Sequence, residues 1–241
     1  MSFAAQRLKA AKFTPFTAPT IALVRNLGVG AWAALSPQAS PSDPTMGAAS
    51  SVGNLILGIL FISGNDLASL TGHSITPYNY VGGSIPLLAS LRAGLGSAGT
   101  AFGIGGKVTT STADICTPVA VSSTGLNGYA CGFAEFSASG GSAGGFASAP
   151  QEVIALDDNA GTSGSFSLTF HPQYVGELMV VMSICFGTYT IPSGWTQIGP
   201  GGRFDNCCYR LATSGDVGAG SVTATYTGAT NIVEAVGVRW H

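Results

Sequence analysis

Charge is what this chain has least of. Only 8% of its 241 residues are Asp, Glu, Lys or Arg, against about 25% in an average soluble domain. Gly, Ser, Thr and Ala fill the places that charges usually hold, with 35 Gly alone. A surface so poor in charge has little to keep copies apart, so the expectation is burial against other chains in a repeated assembly. The net charge of −2 gives no bulk attraction to nucleic acid. Histidine is nearly absent too, with three, and the five cysteines include no CxxC pair. That spacing excludes the common zinc sites and leaves free buried thiols as the expected state. Cys185 is close to Cys207 and Cys208 if their strands are neighbours. No metal or cofactor is expected. No run reaches the roughly 18 apolar residues of a membrane span. "MSFAAQRLKAAKF" has positive charge with no apolar segment after it, so a secretory signal is not expected.

The few charges are unevenly placed. Arg7, Lys9, Lys12 and Arg25 all precede the first acid, Asp43. Residues 1–19 therefore form a basic arm. Arg7, Lys9 and Lys12 are its candidate assembly contacts, on an acidic neighbour.

The C-terminal half alternates with a period of two. "GSFSLTF" (164–170) and "GELMVVMSICF" (176–186) each set apolar residues on one face. In the latter Leu178, Val180, Met182, Ile184 and Phe186 share a face. "RFDNCCYRLAT" (203–213), "GSVTATY" (220–226) and "NIVEAVGVRW" (231–240) follow, separated by Gly- and Pro-rich turns. Glu234 shares the parity of Val236, Val238 and Trp240, which requires a wet face or a bulge. The first half repeats this order. "VGNLILGILFIS" (52–63) parallels "VGELMVVMSICF" (175–186), "FGIGGKVTTSTAD" (102–114) parallels "DNCCYRLATSGD", and "TGLNGYACGFAEF" (124–136) parallels "TGATNIVEAVGVRW". Residues 79–100 have no counterpart, and Ser84 and Gly94 are placed to bound a short helix there. The expected architecture is all-β: two tandem antiparallel sandwiches, 20–136 and 151–241, with a flexible Gly/Ser/Ala linker at 137–150.

Sequence signals for chemistry are weak. "GLGSAG" (94–99) has dinucleotide spacing, but the residues after it are poor helix formers. "GGSAG" (140–144) fits a nucleophile elbow, but sits in low-complexity sequence. Asp157-Asp158-Asn159 is the only acidic cluster, and reads as turn chemistry before calcium chemistry. Tyr78, Tyr80, Tyr189 and Trp195 are the aromatics that a sugar platform would use. In the first copy His73 stands where Trp195 stands in the second. Trp195 is thus read first as a plug closing the sandwich end, its N–H bonded to a loop carbonyl, and second as a ligand platform.

Three stretches carry a resemblance: Gly176-Glu177-Leu178, Pro192-Ser193-Gly194-Trp195-Thr196 and Cys208-Tyr209-Arg210-Leu211-Ala212. Together they resemble a β-sandwich module of structural proteins of tailed bacteriophages. The resemblance covers about 90 residues well and the first copy only weakly. It departs from the module's pattern at Glu177, Cys208 and His73. It implies a non-enzymatic virion component of tail, fibre or collar, with capsid decoration and a carbohydrate-binding receptor module as alternatives. The implied partners are other virion proteins, further copies of the chain in a trimer or higher assembly, and a host-surface glycan, with no nucleic acid and no membrane. It carries over no catalytic residue.

Overall fold

The computed structural model describes residues 19–25, 33–34, 50–64, 78–80, 83–84, 86–95, 98–110, 116–118, 126–140, 145–158, 165–198 and 207–241. The basic arm with Arg7, Lys9 and Lys12, and also His73, lie outside these residues. The fold is all-β and antiparallel. The first half supplies β1 (Thr20–Arg25), β2 (Ala33–Ala34), β3 (Leu55–Gly64), β4 (Tyr78–Tyr80), β5 (Gly83–Ser84), β6 (Leu87–Leu95), β7 (Ala98–Val108), β8 (Cys116–Pro118) and β9 (Leu126–Ser139). The second supplies β10 (Glu152–Asp158), β11 (Ser165–Phe170), β12 (Leu178–Thr190), β13 (Thr196–Gln197), β14 (Cys208–Leu211), the helix α1 (Ser214–Ala219) and β15 (Val222–Trp240).

Each half builds one six-stranded sheet, and the two sheets have the same order. The first runs β1-β9-β3-β7-β6 with β2 also on β9. The second runs β10-β15-β12-β14-β13 with β11 also on β15. Registers agree as well. Leu55 pairs with Phe136 and Val108 in the first sheet, and Leu178 pairs with Trp240 and Leu211 in the second. Both sheets even carry a bulge at one place. Asn127 is the extra residue between the pairs Ser63–Gly128 and Gly64–Leu126. Asn231 and Ile232 together stand opposite Phe186, between the pairs Cys185–Val233 and Gly187–Thr230. One extra residue flips the parity of a strand, so β15 changes the face its even-numbered residues present. The bulge precedes Glu234, which stays in register with Val236, Val238 and Trp240, so it separates Thr230 and the residues before it from that face and does not take Glu234 off it.

The largest core lies between the halves. Leu55, Leu57, Ile59, Phe102, Ile104, Ala134 and Phe136 meet Leu178, Val180, Met182, Val236, Val238 and Trp240, all of them buried. These are one parity of each sheet, so the two sheets pack face to face. A second core lies wholly within the second half, where Phe166, Leu168 and Phe170 of β11 cover Met179, Val181, Cys208 and Ala235. The middle strands of the second sheet are therefore buried on both faces, which accounts for the unbroken run from Leu178 to Ser183 with no exposed residue. Phe170 lies so close over Gly237 that a Cβ there would come within 2.6 Å of the ring.

Three expectations need correction. Residues 87–95 form β6, not a helix, because pairing with β7 outweighs the helix propensity of Leu and Ala. The turn expected at 227–230 is continuous strand, because Thr227–Thr230 pair with Gly187–Thr190 of β12. The segment 137–150 is not free throughout. Residues 137–139 extend β9, Phe146 is buried in the shared core, and Ala147 N–H donates to the His241 carbonyl at 2.6 Å.

Candidate functional site

Among the described residues, most of the buried polar side chains, Ser50, Asn54, Thr109, Glu135, Glu177 and Arg239, gather where β3 and β12 begin. In both halves the entry to that strand is a four-residue turn with a glycine at positive φ: Gly53 at 89° in Ser51–Asn54 and Gly176 at 88° in Tyr174–Glu177. A side chain at such a φ is strained, so glycine is required at that place in both repeats. The turns are tied down alike. Gly53 N–H donates to Thr109 O and Thr109 N–H to Asn54 O. Gly176 N–H donates to Ala212 O and Ala212 N–H to Glu177 O. The last turn residue, Asn54 or Glu177, is buried in each case.

Each buried residue joins a three-part network across the sheet. Asn54 Nδ2 donates to Glu135 Oε1 at 2.6 Å, and Arg25 Nε lies 2.9 Å from Glu135 Oε2. In the second half Arg239 takes both carboxylates: Nη1 donates to Glu177 Oε1 at 2.8 Å and Nε to Glu152 Oε2 at 3.0 Å. Gln173 N–H donates to Glu177 Oε2 at 2.6 Å. His171 donates to Glu152 through both its backbone N–H, at 3.0 Å, and its ring Nδ1, at 2.7 Å. His241 Nδ1 lies 3.9 Å from Glu177 Oε1. Burial alone raises the Glu152 carboxyl, but the two hydrogen bonds from His171 and the Arg239 guanidinium outweigh it and hold it below its ordinary value. A general acid needs its carboxyl raised and reachable. Glu152 and Glu177 are both engaged by Arg239, and Glu177 is 1% exposed at its side chain, so this cluster ties β10 and the entry of β12 to β15.

The residues that carry the resemblance interlock beside this network. Pro192–Trp195 is a turn closed by Trp195 N–H on Pro192 O at 3.1 Å, with Gly194 at φ 80°. Arg210 Nη1 lies under that turn, 3.3 Å from where a Gly194 Cβ would be. The same guanidinium grips both oxygens of Asp216 at 2.7 and 2.8 Å. Asp216 belongs to α1, where Thr213 and Asp216 form a reciprocal capping box, a signal that T-x-x-D at 213–216 carries in the sequence. Burial raises the Asp216 carboxyl, while hydrogen bonds from Thr213 and the charge of Arg210 lower it further than burial lifts it.

Trp195 is 8% exposed and packs in the second core, 5.7 Å from the Phe170 ring. The indole seen donating to a loop carbonyl is that of Trp240, whose Nε1 lies 2.6 Å from Ala147 O. Cys207 and Cys208 are buried and in no disulfide. Cys208 Sγ lies 2.8 Å from the Tyr226 hydroxyl, and burial pushes its thiol up to about 12. The side chains of Cys185, Tyr78, Tyr80 and Tyr189 lie outside those described. "GLGSAG" joins β6 to β7, with Leu95 opposite Ala98, so a strand follows it where the fingerprint requires a helix. Asp157 and Asp158 pair with Glu234 and Val233 at the end of β10. Among the described residues no group of His, Cys, Asp and Glu is set to hold a metal, and no helix is long and apolar enough to cross a membrane. No protein-family model, no curated protein and no solved structure matches the chain.

Proposed function

We propose that this chain is a non-enzymatic structural component of a tailed-phage virion, in a tail, fibre or collar position, with capsid decoration as the second placement. The observation that carries the reading is what the resemblance-bearing residues do. Gly176, Glu177, Gly194, Trp195, Arg210 and Ala212 all hold one sheet, its turn and its helix together. Such a motif is a signature of a building module, in which ionisable groups are spent on rigidity. The reading takes each half as a sandwich-type unit, the second closed over its own core by β11. Assembly then proceeds by repeated contacts with copies of the chain and with other virion proteins, and the basic arm is the anchor. The same residues weigh against a glycan platform at Trp195, since a stacking surface needs an open ring face.

Gold-labelled antibody microscopy on purified particles tests this. Label on the tail or its appendages is the expected result, and label over the head moves the protein to decoration. Absence from the particle removes the virion reading.

A further inference from the structure

The two sheets are matched repeats, and they also face each other in reverse order. Gly106 of β7 lies against Trp240 of β15, since a Cβ at Gly106 would fall 3.0 Å from the indole Cη2. Phe136 of β9 meets Tyr209 of β14 edge to face, with centroids 5.3 Å apart and planes at 70°. Registers make these one contact seen twice. Gly106 pairs with Leu57 as Tyr209 pairs with Val180, and Phe136 pairs with Leu55 as Trp240 pairs with Leu178. Exchanging the halves thus turns each contact into the other. The exchange swaps the sheets and reverses their strand order, so it is a half-turn about an axis between the sheets and along the strands. A contact that maps onto itself under a half-turn is the isologous interface of a twofold dimer.

We propose that the chain is a fused twofold dimer, and that the inner face of each sheet is an interaction surface whose fitting partner is another repeat of this kind. In this structure the partner comes from the same chain. A second copy of the chain carries the same surface and can supply it. Three features argue for that partner. The described residues that meet in the shared core are mostly aliphatic and aromatic, as in obligate homodimers. The buried ion pairs seen among the described residues, Arg25 with Glu135 and Arg239 with Glu152 and Glu177, each lie within one sheet. The paired sizes are also exchanged, with glycine opposite tryptophan on one side and tyrosine opposite phenylalanine on the other. The proposal is independent of the virion reading, and absence from particles leaves it standing.

The test uses the full chain with a protease site inserted after Gly140. The folded protein is cut, mixed with a cut isotope-labelled copy, taken through unfolding and refolding, and weighed by native mass spectrometry. The expected products are one-to-one complexes that include hybrids of labelled and unlabelled halves, with a melting temperature that rises with concentration. Halves that separate or aggregate without re-pairing overturn the proposal. A second arm leaves the chain uncut. Gly106→Tyr alone lowers the melting temperature steeply. Adding Trp240→Phe recreates the pair found at Phe136 and Tyr209, and recovers part of the loss. A double variant no more stable than the sum of the single losses overturns the equivalence of the two contacts.

Discussion

In the first half the buried carboxylate, Glu135, sits on the last strand, and its guanidinium, Arg25, comes from the edge strand. In the second half the guanidinium, Arg239, sits on the last strand and the carboxylate, Glu152, comes from the edge. The turn residue completing each network is neutral Asn54 in one and acidic Glu177 in the other. The same three positions are linked, with the charges reversed. What the fold needs there is an ion pair that staples an edge strand to the sheet, with a hydrogen bond or second ion pair to the turn. The sign at any one position is free as long as its partner changes with it, because an unpaired buried charge costs more than a pair gains. A similar trade is seen in size, with the bulk of Phe136 and Tyr209 redistributed to Trp240 and Gly106.

The largest effect that breaks this comparison is at Arg239. Arg239→Leu removes the one cation shared by two carboxylates, leaving Glu152 to His171 and Glu177 to the Gln173 N–H, whereas Arg25→Leu removes the cation of one carboxylate, leaves Glu135 with Asn54 and lies at a more exposed position. Loss of one member of a buried pair costs roughly 3–5 kcal/mol. Arg239→Leu is expected at or above the top of that range and Arg25→Leu at or below its foot, as measured by denaturant unfolding. Equal losses would mean that the two networks are alike in energy despite their different partners.

Trp195→Ala addresses a feature seen in the described residues of the second half. It empties part of the core under β11 and is expected to cost roughly 3–5 kcal/mol. A melting temperature that does not move would contradict the packing seen around the ring.

The turn glycines give a smaller and more even effect. Gly53→Ala and Gly176→Ala both place a side chain at positive φ, and each is expected to cost about 1 kcal/mol. At Gly53 no neighbour lies within 4 Å of the new Cβ, so the strain there is conformational only. Unequal costs would show that the two turns, alike in backbone, differ in how far they can relax.

Titration sharpens the contrast further. Glu152 and Asp216, both in the second half, have carboxyls held below their ordinary values of 4.5 and 3.8. A lowered folded value gives stability that is complete above the ordinary value and lost as pH falls through the lowered one. Melting temperatures are therefore expected to drop below about pH 4, and Arg210→Leu with Arg239→Leu should flatten the drop. Cys208 acts at the other end. Its thiol is raised from 9.0 to about 12, so its contribution is whole below pH 9 and lost as pH rises toward 12. In the native state at neutral pH it should resist thiol reagents, and rapid labelling would show that the second core opens.

Much of this was legible in the chain itself. Alternation at 165–170 and 178–183 marks strands with defined faces, because side chains on a strand alternate strictly. The Val-Gly turns, the Asn at each bulge and the shared spacing mark a repeat. The parity of Glu234 with Val236, Val238 and Trp240 is kept in the structure, because the bulge of β15 lies before all four. Less legible was β6, since Leu, Leu, Ala, Ser and Leu at 87–91 suit a helix until β7 pairs with them. The long β15 was hidden for a related reason. Thr227–Gly228 has turn chemistry, and only the presence of β12 alongside keeps it extended. The candidate site was half visible. Glu177 and Arg210 stand in recognisable stretches, but nothing local says that Arg239, Glu152 and His171 converge on one another.

By itself the sequence determined an all-β chain, two repeats, the strands with clean alternation and the glycines that their turns require, because these rest on local sterics and a period of two. The tertiary structure decided which faces meet. An apolar strand face records that it will be buried, not against what. Whether the inner face of one repeat closes on its own layers or on the other repeat depends on contacts far apart in sequence, such as Gly106 with Trp240 and Phe136 with Tyr209, and no local pattern encodes a pairing of that kind.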